Sequence, residues 1–148
     1  MKKERKERGD RVEPIRKLIK QAAKGIDQHS SDFAKEMKLT RGQMATIDFL
    51  GKQPGYMAKQ RVIEEEFAIQ RSTTTIMLQR LEKRGLVSRL SDPTDKRQKL
   101  VKLTDEAKDL LPGIQEEIKD DDLELLQHFS QEEIDTVRRL LKYIAEEG

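Results

Sequence analysis

The chain has 148 residues, 39% of them charged and 34% hydrophobic, with a formal net charge of +2 and no cysteine. That length suits one domain, and without thiols there are no disulfides, no cysteine redox switch and no cysteine metal site. No apolar run approaches the ~20 residues of a membrane span, and the opening Met1-Lys2-Lys3-Glu4-Arg5-Lys6-Glu7-Arg8 lacks a hydrophobic signal core, so a cytoplasmic protein with no membrane partner is expected.

Met1–Arg11 carries six Lys/Arg and three Asp/Glu and no periodic apolar residue. Residues 1–12 therefore read as a disordered basic tail, with an arm on DNA phosphates as the alternative. Glu13–Lys38 is predicted to be one long amphipathic helix with Pro14 in its first turn. Ile15, Ile19, Ala22, Ile26, His29, Phe33 and Met37 form a narrow seam suited to helix-on-helix packing. About 24 residues at 1.5 Å each span roughly 36 Å, long for a one-domain core and suited to a dimer interface.

Leu39–Gln43 opens a second helix, with Thr40 as cap and Met44, Ile47 and Leu50 or Gly51 facing inward. Pro54-Gly55 ends it. Met57–Ile69 is expected as a third helix, with Ile63 and Phe67 in the core. In Arg71–Arg84, Thr74, Met77, Leu78 and Leu81 make one apolar stripe, and Ser72, Thr73, Thr75, Ile76, Gln79 and Arg80 lie opposite. Gly85 stops that helix, since glycine takes the left-handed cap without a steric penalty. Leu86–Ser91 and Lys99–Leu103 read as two strands joined by the loop Asp92–Gln98.

A further helix begins at Thr104, followed by acids that suit the helix dipole. Ala107, Leu110, Leu111, Ile114 and Ile118 give its stripe, and Pro112 should kink it or free a carbonyl. Asp120-Asp121-Asp122 reads as a solvent-facing acidic run rather than a metal cluster. Ser130 and Glu133 form a capping box for the last helix, whose stripe is Ile134, Val137, Leu141 and Ile144. That stripe has little to bury against within one lobe. With Ile15, Ile19 and Ile26 it would form a dimer interface.

The charge is polarised. From Arg71 to Lys102 there are nine Lys/Arg and three Asp/Glu, a net of +6; from Leu103 to Gly148 there are five and fourteen, a net of −9. A basic segment that coincides with a small, polar helix face and a cationic hairpin tip points to nucleic-acid phosphates. Helix, glycine, strand, basic loop, strand is the layout of a winged helix. The expected fold is mainly α with a small β-hairpin wing. Residues 39–104 would form the DNA-binding lobe, and residues 13–38 and 105–148 the dimerisation helices.

These segments resemble the MarR family of transcription regulators. The resemblance is carried by Leu81-Glu82-Lys83-Arg84-Gly85-Leu86-Val87, by Asp95-Lys96-Arg97 at the wing tip, and by Val101-Lys102-Leu103-Thr104. It extends more loosely from Ile15 to Ile144. Two positions depart from the family: Glu64 stands where a small residue is usual, and Ala68 where the turn usually has glycine. By the resemblance, Arg97 would enter the minor groove and Asp95 would hold its guanidinium. Independently, a narrow minor groove attracts arginine electrostatically.

The N-terminal part of such a recognition helix enters the major groove. Ser72, Thr73 and Thr75 fit base edges or phosphates, and Arg71 can reach a guanine edge or a phosphate. Ile76 either packs on thymine methyls or is a semi-exposed residue filling the edge of the core, and Arg80, Lys96 and Arg97 complete the expected contact set. The implied function is a homodimeric repressor on a pseudo-palindromic operator, released by a small aromatic or anionic effector. No cofactor is expected, and no glycine-rich phosphate loop, H-E-x-x-H or nucleophile–base set suggests an enzyme. His29 and His128 read as structural. A winged helix for protein contacts is the alternative; RNA binding is disfavoured by an aromatic content of 4%.

Overall fold

A computed structural model describes residues 12–28 and 31–147. The expectations for Met1–Arg11 and for His29 lie outside the described residues. The chain divides into two compact units, with the boundary between Arg41 and Gly42.

The first unit contains α1 (Ile15–Gln28) and α2 (Asp32–Met37). The single helix expected over Glu13–Lys38 is thus interrupted. Ser31 is extended (φ −70°, ψ 165°) and caps α2, its hydroxyl accepting from the Ala34 N–H at 3.0 Å. A serine side chain that competes for helical N–H groups favours such a restart. Pro14 precedes the helix, its carbonyl accepting from Leu18 N. Lys38 ends α2 in the left-handed conformation (φ 57°).

The second unit takes in almost all of α3 (Arg41–Gly51), a 3-10 turn (Pro54–Tyr56), β1 (Met57–Lys59), α4 (Gln60–Phe67), α5 (Arg71–Lys83), β2 (Val87–Ser91), β3 (Lys99–Leu103), α6 (Asp105–Leu126) and α7 (Gln131–Glu147). Met57–Lys59 is a strand, not the start of a helix. Gly55 (φ 68°) and Tyr56 (φ 59°) turn the backbone, and Met57 emerges extended to pair with Lys102 on β3. The wing is therefore a three-stranded antiparallel sheet in the order β1-β3-β2, with Val87 opposite Leu103 and Ser91 opposite Lys99.

Ile47, Leu50, Ile63, Leu78, Leu81, Leu86, Val101 and Ile114 are fully buried and join the helices to the sheet. Phe49 and Phe67 meet edge to face at 5.9 Å. Gly51 lets α6 come close, because a Cβ there would lie 2.7 Å from Leu111 Cδ2. Thr104 ties α6 to the end of α5. Its hydroxyl donates to the Gly85 carbonyl at 2.6 Å and accepts from Ala107 N at 3.2 Å. Gly85 sits at φ 76°, as a left-handed helix stop requires. α6 continues through Pro112 and the acidic run, and Asp122 pairs with Arg138 of α7 at 2.8 Å. The capping box closes both ways: Ser130 N donates to Glu133 and Glu133 N donates to Ser130 Oγ.

Candidate nucleic-acid interface

The orientation of α5 is set by its apolar side. Thr74, Leu78 and Leu81 are buried and Met77 half-buried, which turns Ser72, Thr73, Ile76 and Arg80 to solvent; Ile76 is 50% exposed. A semi-exposed isoleucine on this face fits both expected roles of Ile76, against thymine methyls or at the edge of the core. Thr75 is half-buried, and Gln60 Nε2 of α4 donates to its hydroxyl at 2.9 Å. Arg71 opens α5, and its Nε lies 3.4 Å from the Glu64 carboxylate. Between the two helices Ala68 adopts the left-handed conformation (φ 52°, ψ 46°), and the following N–H of Ile69 donates to the Glu64 carbonyl at 3.1 Å. The turn keeps glycine geometry without glycine.

The wing loop is folded on itself around two aspartates. Asp92 is buried; its carboxylate accepts from Thr94 N and Oγ1 at 2.9 and 2.8 Å and lies 3.6 Å from Lys59 of β1. The Thr94 hydrogen bonds, reinforced by Lys59, hold the Asp92 carboxyl below its ordinary pKa of 3.8. Main-chain bonds from Asp95 N to Asp92 O and from Gln98 N to Asp95 O close the loop. Asp95 then grips Arg97 three times: through its N–H (3.0 Å), Nε (3.1 Å) and Nη2 (3.4 Å). These bonds lower the Asp95 pKa as well. The Arg97 side chain is nevertheless 90% exposed, an arginine fixed at its root and open at its end. Lys96 beside it is exposed.

Between α4, α5 and the wing lies a recess of about 230 Å³. It is lined by five cations (Arg61, Arg71, Arg89, Arg97 and Lys99) and three neutral polar residues (Gln60, Thr75 and Gln98). The structure thus brings Arg71, Thr75 and Arg97 of the expected set into one cavity. Gln60, Arg61, Arg89, Gln98 and Lys99 were not expected there. A strand in place of a helix at Met57–Lys59 would have moved Gln60 to a helix start, where it is buried and faces Thr75. The alternation of β2 and β3 contained the signal for Arg89 and Lys99.

The expected dimer residues are incompletely covered. Ile15 and Ile26 are 51% and 55% exposed, and Ile19 is half-buried. On α7, Val137 and Leu141 are 47% and 42% exposed, Ile134 and Ile144 are half-buried, and no residue of the helix is buried. His128, at the α6–α7 corner, is 3.3 Å from Glu124 on the surface.

A reader helix preceded by a tight turn, a three-stranded wing and a cationic recess between them define a winged helix-turn-helix protein. The MarR-family sequence profile matches residues 37–98. The chain is 34% identical over 96 residues to the transcriptional regulator HosA of Escherichia coli O111:H-, covering 64% of this chain and 70% of that one. It is similar to the crystal structure of the transcription regulator MarR from Oenococcus oeni PSU-1, with a TM-score of 0.73, 33% identity, and coverage of 90% of this chain and 99% of that one. The S. aureus MepR–DNA complex has the same fold, with a TM-score of 0.81 at 19% identity over 93% of this chain and all of that one. The chain belongs to the MarR family, whose members are non-enzymatic, DNA-binding transcription regulators. Among the described residues no helix is long and apolar enough to cross a membrane.

Proposed function

We propose that the chain is a homodimeric repressor that docks two winged lobes on a pseudo-palindromic operator. The observation that carries this reading is the cationic recess between α5 and the wing, flanked by an arginine pre-ordered by Asp95. Ser72, Thr73, Thr75 and Ile76 face the major groove, with Arg71 at its edge. Arg80 and Lys96 lie against phosphates, and Arg97 enters the minor groove, where a narrow groove concentrates negative potential. Residues 39–104 form the DNA lobe. Residues 13–38 and 105–148 supply the dimer helices, with Ile15, Ile19, Ile26, Ile134, Val137, Leu141 and Ile144 covered by the partner. The exposed stripe on α7 supports that assignment, as do relatives of the family that act as dimers.

A lobe pair held at one spacing engages both half-sites together. A small aromatic or anionic effector that shifts the spacing would release the operator. Most of the affinity comes from phosphate contacts and falls steeply with salt. Fluorescence anisotropy with Arg97→Ala tests the wing: operator affinity drops by about 1–3 kcal/mol, while the dimer sediments unchanged. Wild-type affinity in that variant removes the wing from the mechanism.

A further inference from the structure

Glu64 is an acid beside a face that must accept phosphates. Its carboxylate is largely covered, with 14% of the side chain exposed. Glu64 Oε2 accepts from Gln60 Nε2 at 3.1 Å and faces Arg71 Nε at 3.4 Å. The same Gln60 nitrogen donates to Thr75 Oγ1 at 2.9 Å. Gln60 is itself only 7% exposed. The four side chains form one line across the helix-turn-helix: Thr75, Gln60, Glu64, Arg71. Its outer end is the first residue of α5, and the Arg71 side chain is 67% exposed at the rim of the recess.

We infer that Glu64 is a positioning residue that aims Arg71 at a guanine in each half-site. The inference rests on the proposed docking of α5 in the major groove. An adjacent carboxylate offsets much of an arginine's attraction for phosphate, so Arg71 is poorly suited to a backbone contact. The same carboxylate removes rotamer freedom before binding, which favours a contact that demands geometry. Glu64 engages the Nε edge of the guanidinium. The end-on pair, Nη1 and Nη2, is the fork that matches O6 and N7 of guanine. Arg71 also occupies the N-terminal position from which recognition helices reach base edges.

The test is selection from a random duplex library with the full-length protein, comparing wild type, Glu64→Gln, Arg71→Lys and the double variant. Glutamine keeps the shape of Glu64 without its charge. The wild type is expected to require guanine at one symmetric position of each half-site. Glu64→Gln relaxes that position by on the order of tenfold, leaves the other positions intact, and does not weaken low-salt binding to unrelated duplex. Arg71→Lys relaxes the same position, and the double variant relaxes it no further. A guanine preference that survives Glu64→Gln, or an equal loss at every position, overturns the inference and leaves the docking intact. If the wild type enriches no sequence, the docking itself fails and the inference with it.

Discussion

Two amphipathic helices of the same unit, α5 and α7, carry apolar residues at the same three- and four-residue spacing and end differently. On α5, Leu78 and Leu81 are 0% exposed, in a helix that packs against α4 and β2. On α7, Val137 is 47% and Leu141 42% exposed, and Leu140 and Tyr143 are open as well. Periodicity states that a helix has a face to bury; it does not say where the covering surface comes from. The α5 stripe is satisfied within its own chain. The α7 stripe is only partly covered there, and large apolar residues exposed along one helix face suit a partner surface. Two residues of the stripe, Ile134 and Val137, line a groove of about 210 Å³ with Leu125, Phe129 and Glu133.

The contrast can be broken from either side. Val137→Glu combined with Leu141→Glu would place two unpaired carboxylates in the partner contact, a cost of several kcal/mol each. Sedimentation velocity should then show a monomer, and an unchanged dimer mass would assign the α7 stripe to something else. Leu78→Ala attacks the satisfied stripe. It removes a fully buried side chain and should lower stability by about 2–5 kcal/mol in urea titrations, with the lobe rather than the dimer contact failing first.

Smaller changes sharpen the comparison by tuning the lobe alone. Ala68→Gly relieves a left-handed alanine and should raise the unfolding free energy by roughly 0.5–1 kcal/mol; a loss of stability would mean that the turn depends on the alanine methyl group. The wing loop should respond to acid. Asp92 and Asp95 have folded pKa values below 3.8. Their contribution is therefore complete above the unfolded value and is lost as pH falls through the folded values. Amide chemical shifts of Thr94 and Arg97 followed by NMR should stay flat through the neutral range and move only below the ordinary carboxylate pKa. Movement near neutrality would contradict the assigned hydrogen bonds.

Much of this was legible in the chain. The α5 stripe, the Gly85 stop, the two long strands, the Thr104 cap and the Ser130–Glu133 box are local signals, each decided within a few residues. The Asp95–Arg97 pair was expected from the family resemblance, and the structure holds it in three hydrogen bonds. What was hidden depends on partners distant in sequence. Met57–Lys59 is a strand because β3 lies beside it, forty-odd residues later, and nothing in those three residues excludes a helix. The Glu13–Lys38 seam keeps its period past Ser31, so the apolar spacing masks a break marked by one side-chain cap. Arg61, Arg89 and Lys99 are ordinary surface cations until the fold gathers them around one recess. Asp92 is the turn residue it looked like, bonded to Thr94; its ion pair with Lys59 was hidden because β1 was.

In the proposed repressor two copies of this basic face act together. Its most direct test is to select an operator from a random-sequence duplex library and titrate the full-length protein into it at two salt concentrations, reading stoichiometry and affinity. The expected result is an inverted repeat with half-site centres about 34 Å apart or a multiple of that, two chains per duplex, and affinity that falls steeply as salt rises. A single half-site bound by one chain, or weak binding with no sequence enriched, would contradict it.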